Sequence, residues 1–495
     1  MTTKVVKGSL WTLAGQVAPL GISLFTTPFT IRLLGVEGYG VLILIGLIPT
    51  YFAFADFGMG IASTRFASEA YAAGDSEKEA RTVRTAALIA LIVSIPIAAA
   101  IFIFSNAAIA AFNVPQNLQS EANLALKLAS ITFVINFLNS IFNTPQLTRL
   151  RMDLNTLVNS GFRMLGLMAT PIVIYLGGGI SGAVAILLLV ALLTLVAHIC
   201  VSGKLLNQLF QFTFDKTLIR PMLKFGGALS FAGIAAVLLV NLEKLVLAKV
   251  TTVEMLAHYS VAFTLAMIAS MFSTAMIQSL VPAFSQLLNP TSFKQFQQLF
   301  SRCVTFSLLA FVPLCSFLAL IAKPFFTHWA GEDFGRESTI PFYILLIGLL
   351  FNIPAYVPYS VLVALGRTES IAKLYWLELG PYVLCIYFLT SLYGIYGAAI
   401  AWSLRMIVDG IIFFILAKYN NTRGLRFLST DVIWPASAIC IYLLPVIMLL
   451  LFKISILPSL IVFGLSSSIF IWIVLLRILS ADELKFIQRK VANLF

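Results

Sequence analysis

Charged residues are scarce in this chain of 495 residues: Asp, Glu, Lys and Arg make up 11% of it, against about 25% in an ordinary soluble domain. Apolar side chains make up 60%, and the mean hydropathy is +0.99. So little polar surface cannot cover the several soluble cores that the length would otherwise suggest. A water-soluble protein is therefore excluded, and the unit to count is the membrane span.

Cysteine pairs with metal-binding spacing and sequence motifs for catalysis are also lacking. The five cysteines all fall in apolar runs and show no CxxC or Cys/His spacing, so neither a zinc site nor a disulfide is expected. The chain has no GxxxxGK[ST] string for an ATP motor and neither HExxH nor GxSxG for hydrolysis. These absences favour a transporter without metal or cofactor over an enzyme.

Long apolar runs predict membrane-spanning helices, each of which needs about 20 mostly apolar residues. They are continuous, unlike the alternating strands of about 10 residues in an outer-membrane barrel. Fourteen spans are predicted, at 9–34, 41–64, 85–105, 122–144, 155–176, 180–202, 225–247, 256–282, 303–322, 339–363, 376–393, 397–417, 432–452 and 455–477. The expected fold class is an all-α polytopic membrane protein.

Positive residues collect on one side of these spans. With both chain ends placed inside, 23 of the 32 Lys and Arg residues fall on the cytoplasmic side, while Lys127, Arg163 and Arg405 lie within spans. Short cytoplasmic loops carry such an excess, so both termini are predicted to be cytoplasmic. Attraction to an anionic inner leaflet also explains the net charge of +12 without nucleic acid as a partner.

Two short strings recur six spans apart. GISGA begins at Gly179 and GIYGA at Gly394, while GYG begins at Gly38 and HYS at His258. A separation of six helices preserves orientation, which predicts two parallel-repeat lobes of six helices plus two C-terminal helices. The predicted domains are an N-terminal lobe (1–203), a cytoplasmic linker (204–224), a C-terminal lobe (225–418), spans 13 and 14 (432–477) and an amphipathic cytoplasmic tail (478–495).

Seven strings over roughly the first 420 residues carry a family resemblance: 7–11 (KGSLW), 32–40 (RLLGVEGYG), 56–60 (DFGMG), 224–226 (KFG), 241–247 (NLEKLVL), 259–262 (YSVA) and 329–334 (WAGEDF). In order and spacing they resemble Wzx-type polysaccharide flippases of the multidrug/oligosaccharidyl-lipid/polysaccharide exporter superfamily. One departure is Glu243-Lys244, where the family commonly has Asp followed by Arg. The charge signs are kept, but the bidentate grip of Arg on phosphate is lost.

The resemblance implies outward flipping of an undecaprenyl-diphosphate-linked oligosaccharide repeat unit across the bacterial plasma (inner) membrane by alternating access, as in O-antigen, lipopolysaccharide or exopolysaccharide synthesis. Membrane potential, cation antiport or both would drive it. The implied partners are the lipid-linked substrate, membrane lipid and other glycan-synthesis membrane proteins. The alternatives are a cation-coupled small-molecule exporter of the multidrug type and, with less support, a membrane glycan polymerase or ligase.

Polar residues inside the spans are the candidate binding residues, because a charge at mid-bilayer costs about 2.5–3.5 kcal/mol on insertion scales. Arg163 in the fifth span is predicted to bind substrate phosphate, with a structural ion pair as the alternative. Arg32, at the outer end of the first span, and Lys244 are further phosphate candidates, although Arg32 could simply reach the headgroups. Three asparagines of the fourth span could bind sugars or join helices: Asn136, Asn139 and Asn143.

Coupling or gating residues are predicted among the remaining charges. Asp56 lies beside two glycines that permit close packing, and Glu243 belongs to the resemblance. Arg405 and Asp409 stand one helical turn apart and can pair within their helix, either for packing or for coupling. Glu378 and His198 lie toward span ends, where contact with solvent is expected.

Overall fold

The computed structural model describes residues 2–56, 58–211, 213–288, 292–420, 433–451 and 456–478, and these contain helices and turns but no strand. The longer helices confirm the all-α prediction. In chain order they are α1 (Thr2–Thr50), α2 (Met59–Ala72), α3 (Ser76–Ile103), α4 (Ser105–Ala110), α5 (Gln116–Phe142), α6 (Thr144–Thr148), α7 (Met152–Val173), α8 (Gly179–Leu205), α9 (Lys216–Val250), α10 (Val253–Gln286), α11 (Phe293–Ala330), α12 (Glu332–Glu337), α13 (Thr339–Asn352), α14 (Tyr356–Ala364), α15 (Thr368–Asn420), α16 (Ile433–Leu451) and α17 (Ile456–Ile473).

Several helical stretches are too long to be single spans. Eight helices in the described ranges are long and apolar enough to cross a membrane, and three of these run for 40, 54 and 52 residues. At 1.5 Å per residue they measure about 60–80 Å, twice the roughly 30 Å of a bilayer core. Each contains a glycine with non-helical angles, at Gly35, Gly177 and Gly394. Dividing these three helices at their glycines turns the eight helices into eleven spans. With α9, α16 and α17 the number is the fourteen predicted.

The two GIxGA strings adopt the same backbone conformation. Gly179 has φ 57° and ψ −152°, and Gly394 has φ 54° and ψ −129°, a region that essentially only glycine occupies. The chain reverses at Gly394. The evidence is the close approach of Gly397 to Leu389: a Cβ on Gly397 would lie 1.9 Å from the Leu389 carbonyl oxygen. A straight helix separates residues eight apart by about 12 Å. The recurrence of this backbone conformation agrees with the predicted parallel repeat.

The second predicted span, 41–64, is not one helix. α1 ends at Thr50, one residue after Pro49, which lacks a backbone donor. A 3₁₀ turn follows at Ala53–Asp56, and α2 begins after Gly58, whose φ is 60°. The segment predicted as the second span therefore consists of two helices and a short turn, a break that the apolar run does not reveal.

The polar stretch between the second and third predicted spans is also helical. α2 continues to Ala72 and α3 begins at Ser76, so that only Ala73, Gly74 and Asp75 connect them. The Asp75 carboxylate accepts a hydrogen bond from the Lys78 backbone N–H at 2.9 Å. This cap satisfies one of the free donors at the start of α3.

Contacts divide the chain into two units, Met1–His258 and Tyr259–Phe495. In the first unit α2 and α3 pack through buried alanines that let the backbones approach closely: Ala62, Ala67, Ala80, Ala87 and Ala90. In the second unit aromatic side chains fill the core, such as Phe263 against Trp402 with ring centroids 5.4 Å apart. Contacts place α9 in the first unit, whereas the predicted repeat places its span in the second lobe. The lobe boundaries therefore stay a prediction.

We expect Gly394→Ala to destabilise the protein by about 1–3 kcal/mol, because a Cβ is strained at the backbone angles of this position. Gly380→Ala is the matched control, since it lies in the same helix and has open space for a Cβ. That variant should unfold at or slightly above the wild-type temperature, as alanine favours helix. Thermal unfolding of the detergent-purified variants measures the difference, and equal midpoints would contradict the expectation.

Candidate functional site

Arg163 is an exposed cation in the middle of α7, eleven residues after the helix begins and so about 17 Å along it. One turn earlier, Ser160 donates to the Gly15 carbonyl oxygen of α1 at 2.9 Å, and Asn159 contacts His198 of α8 at 3.2 Å. The large exposed apolar side chains of α7 lie on another face: Leu157, Leu165, Met168 and Ile172. Arg163 therefore lies away from the apolar surface, where α1, α7 and α8 meet.

The three candidate asparagines, two in α5 and Asn143 just after its end, differ in their surroundings. Asn139 is buried, and its amide nitrogen donates to the Ala191 carbonyl oxygen of α8 at 3.2 Å. Asn143 is half-buried, and Asn136 is exposed. Asn139 thus joins two helices, while Asn136 offers an accessible amide.

Asp56 lies at the end of the 3₁₀ turn between α1 and α2. Its carboxylate accepts a hydrogen bond from the Gly58 backbone N–H at 2.6 Å, which ties it to the start of α2. A Cβ on Gly58 would come within 3.1 Å of the Gly226 carbonyl oxygen, and one on Gly60 within 3.0 Å of the Ser140 carbonyl oxygen. The glycines allow the close packing inferred from the sequence, and the gating role of Asp56 stays a prediction.

The α9 candidates are held within the first unit. Glu243 is fully buried, and the half-buried Lys244 donates to the Asn241 side-chain oxygen at 3.2 Å. Tyr51 donates to the Asn241 carbonyl oxygen. Arg32, near the end of the first span, is exposed. Of these groups, Arg32 is the more accessible cation.

In the second unit, a reversal within α15 brings two carboxyl groups together. Glu378 and Asp409 stand 31 residues apart and would be about 46 Å apart in a straight helix. Because the chain turns back at Gly394, midway between them, their side chains lie within hydrogen-bonding reach of each other. Both are buried, with 8% and 6% of their surface exposed.

Three of the four oxygens of these carboxyl groups have no hydrogen-bond donor in the part of the chain that the structure describes. Neither oxygen of Glu378 accepts a hydrogen bond, nor does Oδ1 of Asp409. Two buried carboxylates at such proximity repel each other and are poorly solvated. A shared proton or a bound cation would relieve both costs.

A cavity of about 130 Å³ lies beside Asp409, with room for a few water molecules. Asn352 donates to the Met406 carbonyl oxygen at 3.2 Å and also lies within reach of the Asp409 carboxylate. The lining is largely polar and aromatic: Ile277, Asn352, Ala355, Tyr356, Tyr359, Tyr375, Asp409 and Phe413. Hydroxyl, amide and carboxylate oxygens of this kind suit a proton, water or a hard cation.

Two expectations for this region are corrected. Glu378 is buried, not solvated, because the α15 reversal covers it. Arg405 does not pair with Asp409: no N···O contact within 4.0 Å joins these two described side chains. Instead its guanidinium lies 5.4 Å from the ring centroid of Tyr382 and 3.7 Å from the Met406 sulfur.

His198 was expected near solvent but is fully buried in a polar network of the first unit. Its Nδ1 lies 3.0 Å from Nε2 of Gln146, and its Nε2 lies 3.2 Å from Oδ1 of Asn159. Gln146 also donates to Ser202 at 3.2 Å. The network joins α6, α7 and α8, and the only signal for it in the sequence was a lone histidine in an apolar run.

Solved structures of membrane transporters have the same fold as this chain. The lipid II flippase MurJ, in an inward closed conformation, superimposes with a TM-score of 0.69 and 15% identity over 94% of this chain and 98% of that chain. An inward-facing multidrug resistance MATE family transporter of the MOP superfamily gives 0.67 and 13% identity over 80% and 93%.

The profile of the family described as "Polysaccharide biosynthesis protein" matches residues 5–288, so the chain belongs to that family, and the resemblance found in the sequence is confirmed. A Shigella flexneri protein named "Putative O-antigen transporter" is 24% identical over 409 residues, 82% of this chain and 96% of the relative. The "Uncharacterized membrane protein EpsK" of Bacillus subtilis (strain 168) is 29% identical over 125 residues, 24% of each chain.

Proposed function

We propose that this chain moves an undecaprenyl-diphosphate-linked oligosaccharide repeat unit outward across the bacterial inner membrane by alternating access. Similarity to a protein named as an O-antigen transporter over 96% of its length supports the substrate class. The observation that carries the proposal is the position of Arg163. It is an exposed cation in the middle of α7, on a different face of the helix from the exposed apolar side chains. A buried diphosphate requires such a charge.

In this proposal Arg163 binds the diphosphate, with Arg32 and Lys244 as further cations along its path. Guanidinium groups suit phosphate because they donate two parallel hydrogen bonds. The accessible amide of Asn136 is proposed to bind the substrate as well, whereas Asn139 and Asn143 position α5.

The membrane potential can supply the driving force. Moving one charge through 100 mV is worth about 2.3 kcal/mol, so a diphosphate with about two negative charges gains about 4–5 kcal/mol on leaving an inside-negative cell. Export of this substrate is thus favourable without any ion gradient.

Cation antiport is proposed to add to this driving force through Asp409 and Glu378, with Arg405 setting the local potential. The pair sits beside a small polar cavity, and three of its four oxygens have no donor among the described residues. A proton or cation bound there in one state and released in the other couples the ion to the conformational change, because only a difference in affinity between states can do so. Asp56 and Glu243 are proposed as gating residues of the first unit.

A second candidate is a cation-coupled exporter of small molecules, favoured by the likeness to a MATE family fold. An exporter of this kind would carry a water-soluble substrate, and no lipid-linked intermediate would take part. Accumulation of a lipid-linked glycan in a deletion strain would separate the two, since only loss of the flippase leaves that intermediate behind.

The proposed topology has both termini in the cytoplasm. Reporter fusions after Lys78 and after Arg423 should report the cytoplasm, and one after Gly331 should report the outside, because positive loops are retained inside. A reversed result at any of the three positions would refute this topology.

We expect Arg163→Ala to lower export of the lipid-linked oligosaccharide about tenfold or more, the worth of a charge-assisted hydrogen bond. Arg163→Lys should lose less, since it keeps the charge and loses only the planar fork. Transport into sealed vesicles, corrected for protein amount, measures both variants.

The control for Arg163 is Arg336→Ala, which removes an arginine with 73% of its side chain exposed from α12 and should transport within twofold of wild type. Equal losses for alanine and lysine at position 163 would indicate a structural role instead. Full activity of Arg163→Ala would remove it from the site.

For coupling, Asp409→Asn and Glu378→Gln should abolish transport driven by an imposed proton or sodium gradient while keeping the response to potential alone. The amides cannot release a proton or bind a cation as carboxylates do. Vesicles with a potential but no gradient, and with a gradient but no potential, measure the two responses.

Glu369→Gln is the matched control, a glutamate of the same helix with 80% of its side chain exposed. It should respond like wild type to both driving forces. Wild-type vesicles that ignore ion gradients, or amide variants that still follow them, would contradict antiport through this pair.

A further inference from the structure

A trench of about 300 Å³ opens within the first unit between the second half of α1, α5 and α8. We call it the α1/α5/α8 trench. α1 contributes residues at helical spacing from Leu42 to Thr50, and α5 contributes a matching face from Ala129 to Phe137. The full lining is Leu42, Ile45, Gly46, Pro49, Thr50, Ala129, Thr132, Phe133, Asn136, Phe137, Val184 and Leu187.

Its dimensions suit one hydrocarbon chain. Each long wall covers eight residue steps, or about 12 Å, so the volume corresponds to a mean cross-section of about 25 Å². Gly46 leaves open space where a Cβ would stand, and the facing wall of α5 carries a second small residue, Ala129. These small residues leave room for methyl branches beside the rings of Phe133 and Phe137.

Polar capacity in the trench is concentrated at one residue. Thr50 donates to the Gly46 carbonyl oxygen at 2.8 Å and Thr132 to that of Leu128 at 3.0 Å, so their own helices satisfy both hydroxyls. Asn136 is exposed, and its amide nitrogen donates to no described residue. The trench thus offers an apolar channel with a single donor.

The polar end of the trench, at Asn136, faces the cytoplasmic side in the proposed topology. In the proposed topology the second and fourth spans both run from outside to inside, so Thr50 and Asn136 lie toward the cytoplasm and Leu42 and Ala129 lie deeper. An amphiphile from the inner leaflet would place its head near Asn136 and its chain along the apolar part. This is the orientation in which a lipid-linked substrate arrives for export.

We infer that the α1/α5/α8 trench binds the first isoprene units of the lipid carrier, with the Asn136 amide donating to the diphosphate or first sugar. The inference rests on the proposed function and adds the site of the lipid chain. A branched isoprenoid suits this lining better than a linear acyl chain because Gly46 and Ala129 leave space for its methyl groups.

Photo-crosslinking tests this directly. A polyisoprenyl diphosphate with a diazirine on its first isoprene units is added to the full-length protein in phosphatidylethanolamine/phosphatidylglycerol vesicles, and labelled peptides are mapped. We expect labels within 42–50 and 129–137, displaced by unlabelled polyisoprenyl diphosphate but not by excess phospholipid. A diazirine-bearing phosphatidylglycerol tests for bulk lipid in parallel.

Gly46→Leu and Thr132→Leu fill the trench from opposite walls and should each lower labelling at least tenfold. Gly21→Leu is the matched control, a glycine of the same helix that also has open space for a side chain, and should label within twofold of wild type. Asn136→Ala should weaken probe binding roughly fivefold, the worth of one hydrogen bond. Size-exclusion profiles and unfolding temperatures identify any variant that fails to fold. If one of the two trench-filling variants does not fold, the labelling of the other tests the inference.

Three results would overturn the inference: labels outside the trench, equal labelling by phosphatidylglycerol with displacement by phospholipid, or unchanged labelling in both folded filling variants. Failure of the proposed function is separate. Wild-type protein that labels in the trench but transports no lipid-linked oligosaccharide would refute the flippase proposal alone, while transport without trench labelling would refute only the trench.

Discussion

The hydrocarbon interior of the bilayer leaves every backbone N–H and C=O group to be satisfied by the protein itself. This constraint makes the chain helical and confines departures from helix to a few positions. Gly177, Gly179 and Gly394 provide conformations that other residues avoid, so the chain reverses in very few residues. Two long helical stretches thereby become hairpins of membrane-crossing length.

The reversals also decide where charges can lie. At Gly394 the turn places Glu378 against Asp409, and burial then excludes the water that would otherwise separate them. In α7 the neighbours of Arg163 are held by α1 and α8, which keeps the cation off the apolar face. A charge in either place is costly unless it binds something, and this cost is the physical basis of both site proposals.

The two units thus carry different chemistry. The first holds an exposed cation, an accessible amide and an apolar trench, which together suit an amphiphilic anion. The second holds an acidic pair beside a small polar cavity, which suits a proton or a cation. Transport requires that each ligand bind one conformational state more tightly than another, and differences in the burial of these groups provide a means of doing so.

Sequence alone determined the number of spans, the all-helical class and the recurrence of GIxGA, because hydropathy and glycine are local properties of the chain. It also singled out Arg163 and Asp409, since a charge in an apolar run is visible without coordinates. The break between Thr50 and Met59 escaped prediction because an apolar run does not reveal where backbone hydrogen bonds stop. Only the tertiary structure showed that Asn139 binds α8 while Asn136 stays accessible, and that Arg405 lies against Tyr382. It alone joined Glu378 to Asp409 across 31 residues, because the approach of two distant side chains depends on how the chain folds back, which no local pattern encodes.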